Sequence, residues 1–180
     1  MKEGGYSTSA VIMHGLLALS IFFLFISSWW MLALPLPSKE LTFRQFPFQL
    51  HKNIGITIVF LLGFLLYVRF KHPPKAVSEE SMPLWMQRLA VIDHIVLYFL
   101  ILACCFSGYM SSSYSGWGTT FWWLVELPYW GREDEDLNMF WSDVHLWTCW
   151  GLLAILSVHI AGALYHAFRD DGIVRRMLKL

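Results

Sequence analysis

The chain has 180 residues, of which 57% are hydrophobic and only 14% charged, and its formal net charge is zero. A soluble domain carries about 25% charged residues, so this composition excludes a soluble globular protein, and it equally excludes a disordered, collagen-like or disulfide-rich one. The length favours one domain. Residues 1–180 are therefore predicted to form a single all-α integral membrane domain with little mass outside the lipid.

Four apolar segments are predicted to cross the membrane, because each approaches or exceeds the roughly 20 residues that a spanning helix needs. The first is longer than the apolar core of a signal peptide, which has roughly 7–15 residues, and ends in Trp29 and Trp30 rather than at a small-residue cleavage site. It is therefore predicted to be a retained helix. The predicted spans of this four-helix bundle cover about residues 8–34, 50–70, 89–110 and 143–168.

Lysines and arginines predict the orientation, since they concentrate on the cytoplasmic side. Nine lie on the side that holds both termini and four on the other. Both termini are therefore predicted to be cytoplasmic in a bacterial inner membrane, and the opposite, outer side to be periplasmic. Seven acids on the outer side outnumber its four bases, which are Lys39, Arg44, Lys52 and Arg132. The acidic run 133–136 is interpreted as a solvated loop or, alternatively, as a docking site for a basic redox protein.

Three cysteines lie inside the predicted spans, at positions 104, 105 and 149. Their spacing does not suggest a metal site, and a Cys-x-x-Cys-His motif for covalent haem attachment is absent. They are interpreted as apolar filler.

The fourth span carries the most informative histidines, because ionisable groups inside a membrane are costly and therefore indicate function. His145 and His159 are 14 residues apart. They differ by about 40° around the helix axis and by about 21 Å along it. One therefore lies near the outer surface and the other closer to the cytoplasm, a spacing that fits two porphyrins stacked across the bilayer.

Each iron would need a second axial ligand at the same depth. His51 begins the second span level with His145, and His14 lies about as deep in the first span as His159 does in the fourth. The predicted pairs are therefore His14/His159 and His51/His145. Bis-histidine ligation saturates an iron and favours electron transfer over oxygen chemistry. The alternatives are hydrogen bonds between helices and a proton pathway, for which Asp93 is the only acid well inside a span.

The sequence resembles the bacterial cytochrome b561 family of four-helix dihaem membrane proteins, and the resemblance covers nearly the whole chain. It rests on the order and spacing of these segments: 50–55 LHKNIG, 69–74 RFKHPP, 94–98 HIVLY, 107–109 SGY, 126–128 ELP, 159–166 HIAGALYH and 171–178 DGIVRRML. The resemblance implies two haem b groups with axial ligands His14, His51, His145 and His159. One departure is Gly15, where the family often has an aromatic residue.

Four further side chains are predicted to contact a haem propionate or a quinone: His94, His166, Arg69 and Lys52. Asp93 and His94 could form a proton-accepting pair beside a quinone, or a hydrogen bond between helices. His166 and Arg69 could instead be an interfacial histidine and a snorkelling anchor. Most tryptophans near the outer interface are interpreted as an aromatic belt.

Three functions remain open at this point. The resemblance implies a cytochrome that transfers electrons between ubiquinone, or another quinone, and an outer-side donor or acceptor. The first alternative is a superoxide oxidase that passes electrons from superoxide to quinone, although an acidic outer face would steer an anion poorly. The second is an anchor subunit of a larger dehydrogenase or hydrogenase. Lipid, a quinone and an outer-side redox protein are the expected partners, and nothing indicates nucleic acid.

Overall fold

A computed structural model describes residues 6–33, 45–73 and 82–178. Its elements in chain order are α1 (Thr8–Ala33), α2 (Gln45–Lys71), α3 (Leu84–Tyr114), β1 (Thr120–Phe121), β2 (Val125–Glu126), α4 (Glu135–Arg169) and α5 (Arg175–Leu178). Helices α1 to α4 are all long and apolar enough to span a membrane. The predicted all-α, four-helix membrane fold is confirmed. The end of the first predicted span, residue 34, lies outside the described residues.

Three helices begin earlier than predicted, and the first of them, α2, starts at Gln45 rather than near 50. Helix α3 starts at Leu84 rather than near 89, and α4 starts at Glu135 rather than near 143. The start of α4 has a local cause, because the side chain of Asp134 accepts a hydrogen bond from the Leu137 amide at 2.9 Å. This is an N-cap, and the acids Glu135 and Asp136 in the first turn complement the helix dipole. Most of the acidic run thus begins a helix instead of forming a loop.

The helices alternate in direction, so the bundle has two distinct ends. The hairpin end holds the C-termini of α1 and α3, the N-termini of α2 and α4, and the two-stranded sheet. The terminal end holds the opposite helix ends together with α5, and there the Tyr6 amide donates to the Arg176 carbonyl at 3.3 Å.

The helices pack as two pairs, α1 with α2 and α3 with α4, and α2 meets α3 over a smaller area. The core between them is aliphatic, with Leu17, Leu62, Ile101 and Leu152 among its members. Large apolar side chains cover the outside of all four helices, as expected for surfaces in contact with lipid. Helix α4 buries only Leu152, so protein covers little of its surface.

The short sheet was not predicted from the sequence. Strands β1 and β2 pair antiparallel, with Thr120 opposite Glu126 and Phe121 opposite Val125. The tip between them places Trp122 and Trp123 at φ values of 45° and 58°, the left-handed region that an I′-type hairpin turn requires. The side chain of Trp123 stacks on Phe46 of α2 with ring centroids 5.5 Å apart. The hairpin therefore lies against the start of α2.

Candidate haem-binding site

Two pairs of histidines face each other across the bundle, one near each end. The hairpin-end pair consists of His51 on α2 and His145 on α4, whose ring centroids are 6.3 Å apart at an interplanar angle of 82°. The terminal-end pair consists of His14 on α1 and His159 on α4, with centroids 6.4 Å apart at 53°. All four side chains are partly buried. The structure thus brings together the same residues that the sequence grouped by depth.

The ring separations suit a metal between the imidazoles. With a metal–nitrogen bond of about 2.0 Å and a ring radius of about 1.15 Å, two imidazoles on opposite sides of one ion have centroids about 6.3 Å apart. Both observed separations are within 0.1 Å of that value. The interplanar angle is not restricted, because each ring can rotate about its own metal–nitrogen bond. The spacing of both pairs therefore fits axial ligation of an iron.

The second ring nitrogens are held in the way that metal-ligating histidines usually require. Nδ1 of His145 lies 2.9 Å from the Cys104 carbonyl, and Nδ1 of His159 lies 2.7 Å from Oδ2 of Asp93. Both acceptors can only accept, so Nδ1 carries the proton in each ring. Nδ1 of His51 lies 3.3 Å from Oγ of Ser28, whose own proton goes to the Leu24 carbonyl. In these three rings Nε2 is the nitrogen left to bind a metal, and in His145 it also lies 3.7 Å from Sγ of Cys149.

A glycine on α3 provides the room for His145. A Cβ atom built on Gly108 would lie 3.0 Å from Cε1 and 3.1 Å from Nδ1 of the His145 ring. These distances are shorter than ordinary van der Waals contact, so the ring adopts its position because residue 108 has no side chain. Gly15, the departure from the family pattern, has no other atom within 4 Å of the corresponding position. Residue 15 is exposed on the surface of α1.

Two cysteines surround His145, which the sequence spacing did not suggest. Sγ of Cys104 lies 2.8 Å from Sγ of Cys149, and the latter lies 3.7 Å from Nε2 of His145. The three side chains can bring one ligand atom each within 4.8 Å of one another. The two thiols therefore belong to the wall of the hairpin-end site rather than to the lipid-facing surface.

At the terminal end, the predicted contact residues form a polar group. The ring of His94 lies perpendicular to that of His159, with centroids 5.1 Å apart, and its Nδ1 lies 2.6 Å from the Ala90 carbonyl. Nη1 of Arg69 donates to the Tyr98 hydroxyl at 2.6 Å. Asp93 bonds His159 across the α3–α4 interface. The alternative interpretation of Asp93, a hydrogen bond between helices, thus describes its position.

His166 lies just beyond this group and is paired. Its Nδ1 lies 2.6 Å from Oδ2 of Asp171, and both side chains are largely buried. Burial raises the pKa of Asp171, but hydrogen bonds from His166 and from the Ile173 amide outweigh that effect and hold the pKa below its ordinary value. The pair fixes the chain where α4 ends.

Lys52 and Asn53 attach the hairpin to α2. Nζ of Lys52 donates to the carbonyls of Trp117 and Gly118 at 2.8 Å and 3.4 Å. Oδ1 of Asn53 accepts from the Trp122 amide at 3.0 Å, and the Asn53 side chain is completely buried. The amide of Gln49 donates to the Thr120 carbonyl at 2.7 Å. The first turns of α2 thus carry the ligand candidate His51 and also the side chains that hold residues 117–122 against the helix.

Replacing Asn53 with alanine is expected to lower the free energy of unfolding by about 1–3 kcal/mol, because the Trp122 amide would lose its acceptor and a completely buried side chain would be removed. Thermal denaturation in detergent measures the change. Thr57→Val is the matched control. It removes the exposed bond from Nε1 of the same tryptophan and the local bond from the Thr57 hydroxyl to the Asn53 carbonyl one turn earlier in α2. It should cost no more than about 0.5 kcal/mol. Equal losses in the two variants would contradict this role for Asn53.

Comparison with known proteins identifies the family of the chain. A family model described as prokaryotic cytochrome b561 matches residues 5–179. The chain is 28% identical over 175 residues to cytochrome b561 homolog 2 of Escherichia coli (strain K12), covering 96% of this chain and 90% of that protein. It is 24% identical over 132 residues to cytochrome b561 homolog 1 of the same organism, covering 72% and 73%. The chain therefore belongs to the prokaryotic cytochrome b561 family and is a membrane b-type cytochrome of electron transfer.

Proposed function

We propose that this protein binds two haem b groups and transfers electrons across the bacterial inner membrane, between the quinone pool and a donor or acceptor on the outer side. The observation that carries the proposal is the pair of imidazole separations, 6.3 Å and 6.4 Å, at two depths of one bundle. His51 and His145 would hold one haem, and His14 and His159 the other. When bound, each haem supplies a one-electron Fe(III)/Fe(II) couple.

The residues of the bundle have three tasks in this function. The four histidines would hold the two irons, two to each, and an iron held by two histidines would have no position left for oxygen or another small ligand. Their acceptors Ser28, Cys104 and Asp93 fix the ring orientations. The spacing of 14 residues on α4 separates the pairs by about 21 Å along the axis, so that together they cover most of the membrane thickness.

The quinone is proposed to meet the polar group of His94, Arg69 and Tyr98 at the terminal end. A quinone head group has two carbonyl oxygens that need hydrogen-bond donors, and its redox change takes up or releases two protons. The guanidinium of Arg69 is such a donor. Nε2 of His94 can take up a proton from quinol, because the Nδ1 proton of that ring goes to the Ala90 carbonyl. Both side chains are only partly buried. A haem propionate could bind to the same side chains. At other points of the bundle, His166 and Lys52 are the candidates for such a contact.

The charge of the hairpin end favours this function over superoxide oxidation. Among its described residues, six acids face two bases, and one of the bases, Lys52, already donates to loop carbonyls. An acidic surface slows the approach of a small anion and suits a basic protein partner. Lys39, Arg44 and Glu40 lie outside the described residues.

Rapid mixing distinguishes the candidate functions. Purified, oxidised protein of known haem content would be mixed in a stopped-flow spectrometer with ubiquinol or, in the presence of catalase, with a pulse of superoxide. We expect fast appearance of the reduced b-haem band with quinol and slow reduction with superoxide. Absence of reduction by quinol would overturn the proposal. Reduction by superoxide near the diffusion limit, slowed by salt, would establish the superoxide oxidase instead.

Two arginine variants test where quinol reacts. Arg69 and Arg169 each donate to a tyrosine hydroxyl at the terminal end, at 2.6 Å and 3.0 Å, but only Arg69 adjoins the group around His94. Arg69→Gln is expected to slow reduction by quinol about tenfold or more, as loss of a charge-assisted hydrogen bond would. Arg169→Gln should leave the rate unchanged. If quinol reduced the two variants at the same rate, the proposal that the quinone binds at Arg69 would be wrong.

A further inference from the structure

The two histidine pairs differ in the charge of the group that receives the Nδ1 proton of the α4 histidine. At the terminal end the acceptor is the carboxylate of Asp93, 2.7 Å from His159. At the hairpin end it is the neutral carbonyl of Cys104, 2.9 Å from His145. Both acceptors belong to α3. The same helix therefore supplies a charge to one ligand candidate and only a dipole to the other.

The position of Asp93 on α3 directs it into the bundle. Leu97 and Ile101 follow at intervals of four residues and are both buried in the core, so Asp93 lies on the same inward face. Arg69, on the facing helix, donates to Tyr98, and the Asp93 carboxylate bonds His159. A carboxylate at membrane depth is costly unless it is hydrogen-bonded, which indicates that this bond serves a purpose.

A carboxylate that accepts the Nδ1 proton makes the imidazole a stronger electron donor. Stronger donation and a nearby negative charge both stabilise Fe(III) relative to Fe(II), and hydrogen bonding around an axial ligand is one of the means by which a protein sets a haem potential. A backbone carbonyl produces the same effect more weakly, because it carries no net charge.

We propose that Asp93 is a positioning residue that gives the haem at the terminal-end pair a lower reduction potential than the haem at the hairpin-end pair. The inference rests on the proposed two-haem function. Each haem exchanges one electron and no bond is formed or broken. Asp93 thereby determines that electrons move most readily from the terminal end to the hairpin end, from quinol towards an outer-side acceptor.

Redox titration of the purified holoprotein, followed in the visible spectrum, tests this role. In Asp93→Asn we expect one midpoint potential to rise and the other to stay constant. The reduced-to-oxidised ratio of the affected haem, compared at a fixed potential, should increase about tenfold, which is 59 mV for one electron. Asp93→Glu retains the charge and should remain near the wild-type value. Asp143→Asn, at an exposed acid of α4, is the control for loss of a charge without loss of the ligand bond.

Haem content distinguishes the possible failures. If the preparation holds fewer than two haems per chain, the two-haem function fails before any potential is compared. If both haems are present and Asp93→Asn shifts neither potential, shifts both equally, or lowers one, the role of Asp93 is refuted. The EPR signal of the oxidised low-spin haem is a second readout, since its g values respond to the donor strength of the axial imidazole. Only one of the two haem signals should change.

Discussion

Replacing His145 with alanine is expected to remove one of two haems and to leave the other bound. Its ring is one of the two that define the hairpin-end pair, and a haem with a single axial histidine at this position would be held only weakly. The other pair, His14 on α1 and His159 on α4, lies about 21 Å further along the bundle and keeps its own contact. Haem content per chain, measured as the pyridine haemochrome, should fall by about half while the chain remains helical by circular dichroism.

The choice of variants makes the pairing itself testable. His51→Ala should give the same result as His145→Ala, and combining the two should still leave one haem. Combining His51→Ala with His14→Ala should leave none. His72→Ala, at an exposed residue after the end of α2, is the control histidine and should retain both haems. Loss of both haems from either single variant, in a protein that remains folded, would contradict two independent pairs.

Valine at position 108 is expected to abolish haem binding at the hairpin end without altering a ligand. Even the first added carbon would lie 3.0 Å from the His145 ring, and valine attaches two methyl groups to that carbon. The ring would have to move away from α3 and would lose its bond to the Cys104 carbonyl. Valine is a better helix former than glycine, so α3 itself should not be weakened. Haem content should again fall towards half.

Gly63→Val on α2 is the matched control, because no atom lies within 4 Å of a Cβ built at that position. It should retain both haems and the wild-type spectrum. The steric conflict between residue 108 and the His145 ring would be refuted if Gly108→Val also bound two haems with unchanged spectra. A spectrum that changed in the terminal-end haem alone would show that the crowding acts at the other pair.

The sequence was sufficient for the four helices, because about 20 apolar residues in a row have few other structures available in a membrane. It was less informative where the helices leave the lipid. Residues 84–88 and 135–142 contain charges, so hydropathy excluded them from the predicted spans. They nevertheless form the first turns of α3 and α4, and α4 begins at the Asp134 cap. The β hairpin was missed because its tip uses two tryptophans at positive φ, where turn patterns lead one to expect glycine or asparagine.

The candidate site was predictable to the extent that it follows from periodicity along single helices. The 14-residue spacing on α4 and the depths of His14 and His51 are properties of one helix at a time. The contacts of Asp93 with His159 and of Cys104 with Cys149 depend on how α3 is rotated and shifted against α4. A single sequence does not specify that register. Cys149 follows His145 by four residues, a local signal for a position beside the ring that the interpretation of the cysteines as apolar filler did not use.

Because α4 carries a ligand candidate for both pairs, its length between them is under a constraint that the other helices do not share. One residue inserted between His145 and His159 would turn one ring by about 100° relative to the other and displace it by about 1.5 Å. Either pair could then be kept only at the expense of the other. Seven residues would restore the facing direction to within about 20° but would lengthen the interval by about 10 Å. Insertions and deletions in this family should therefore be rare within residues 145–159.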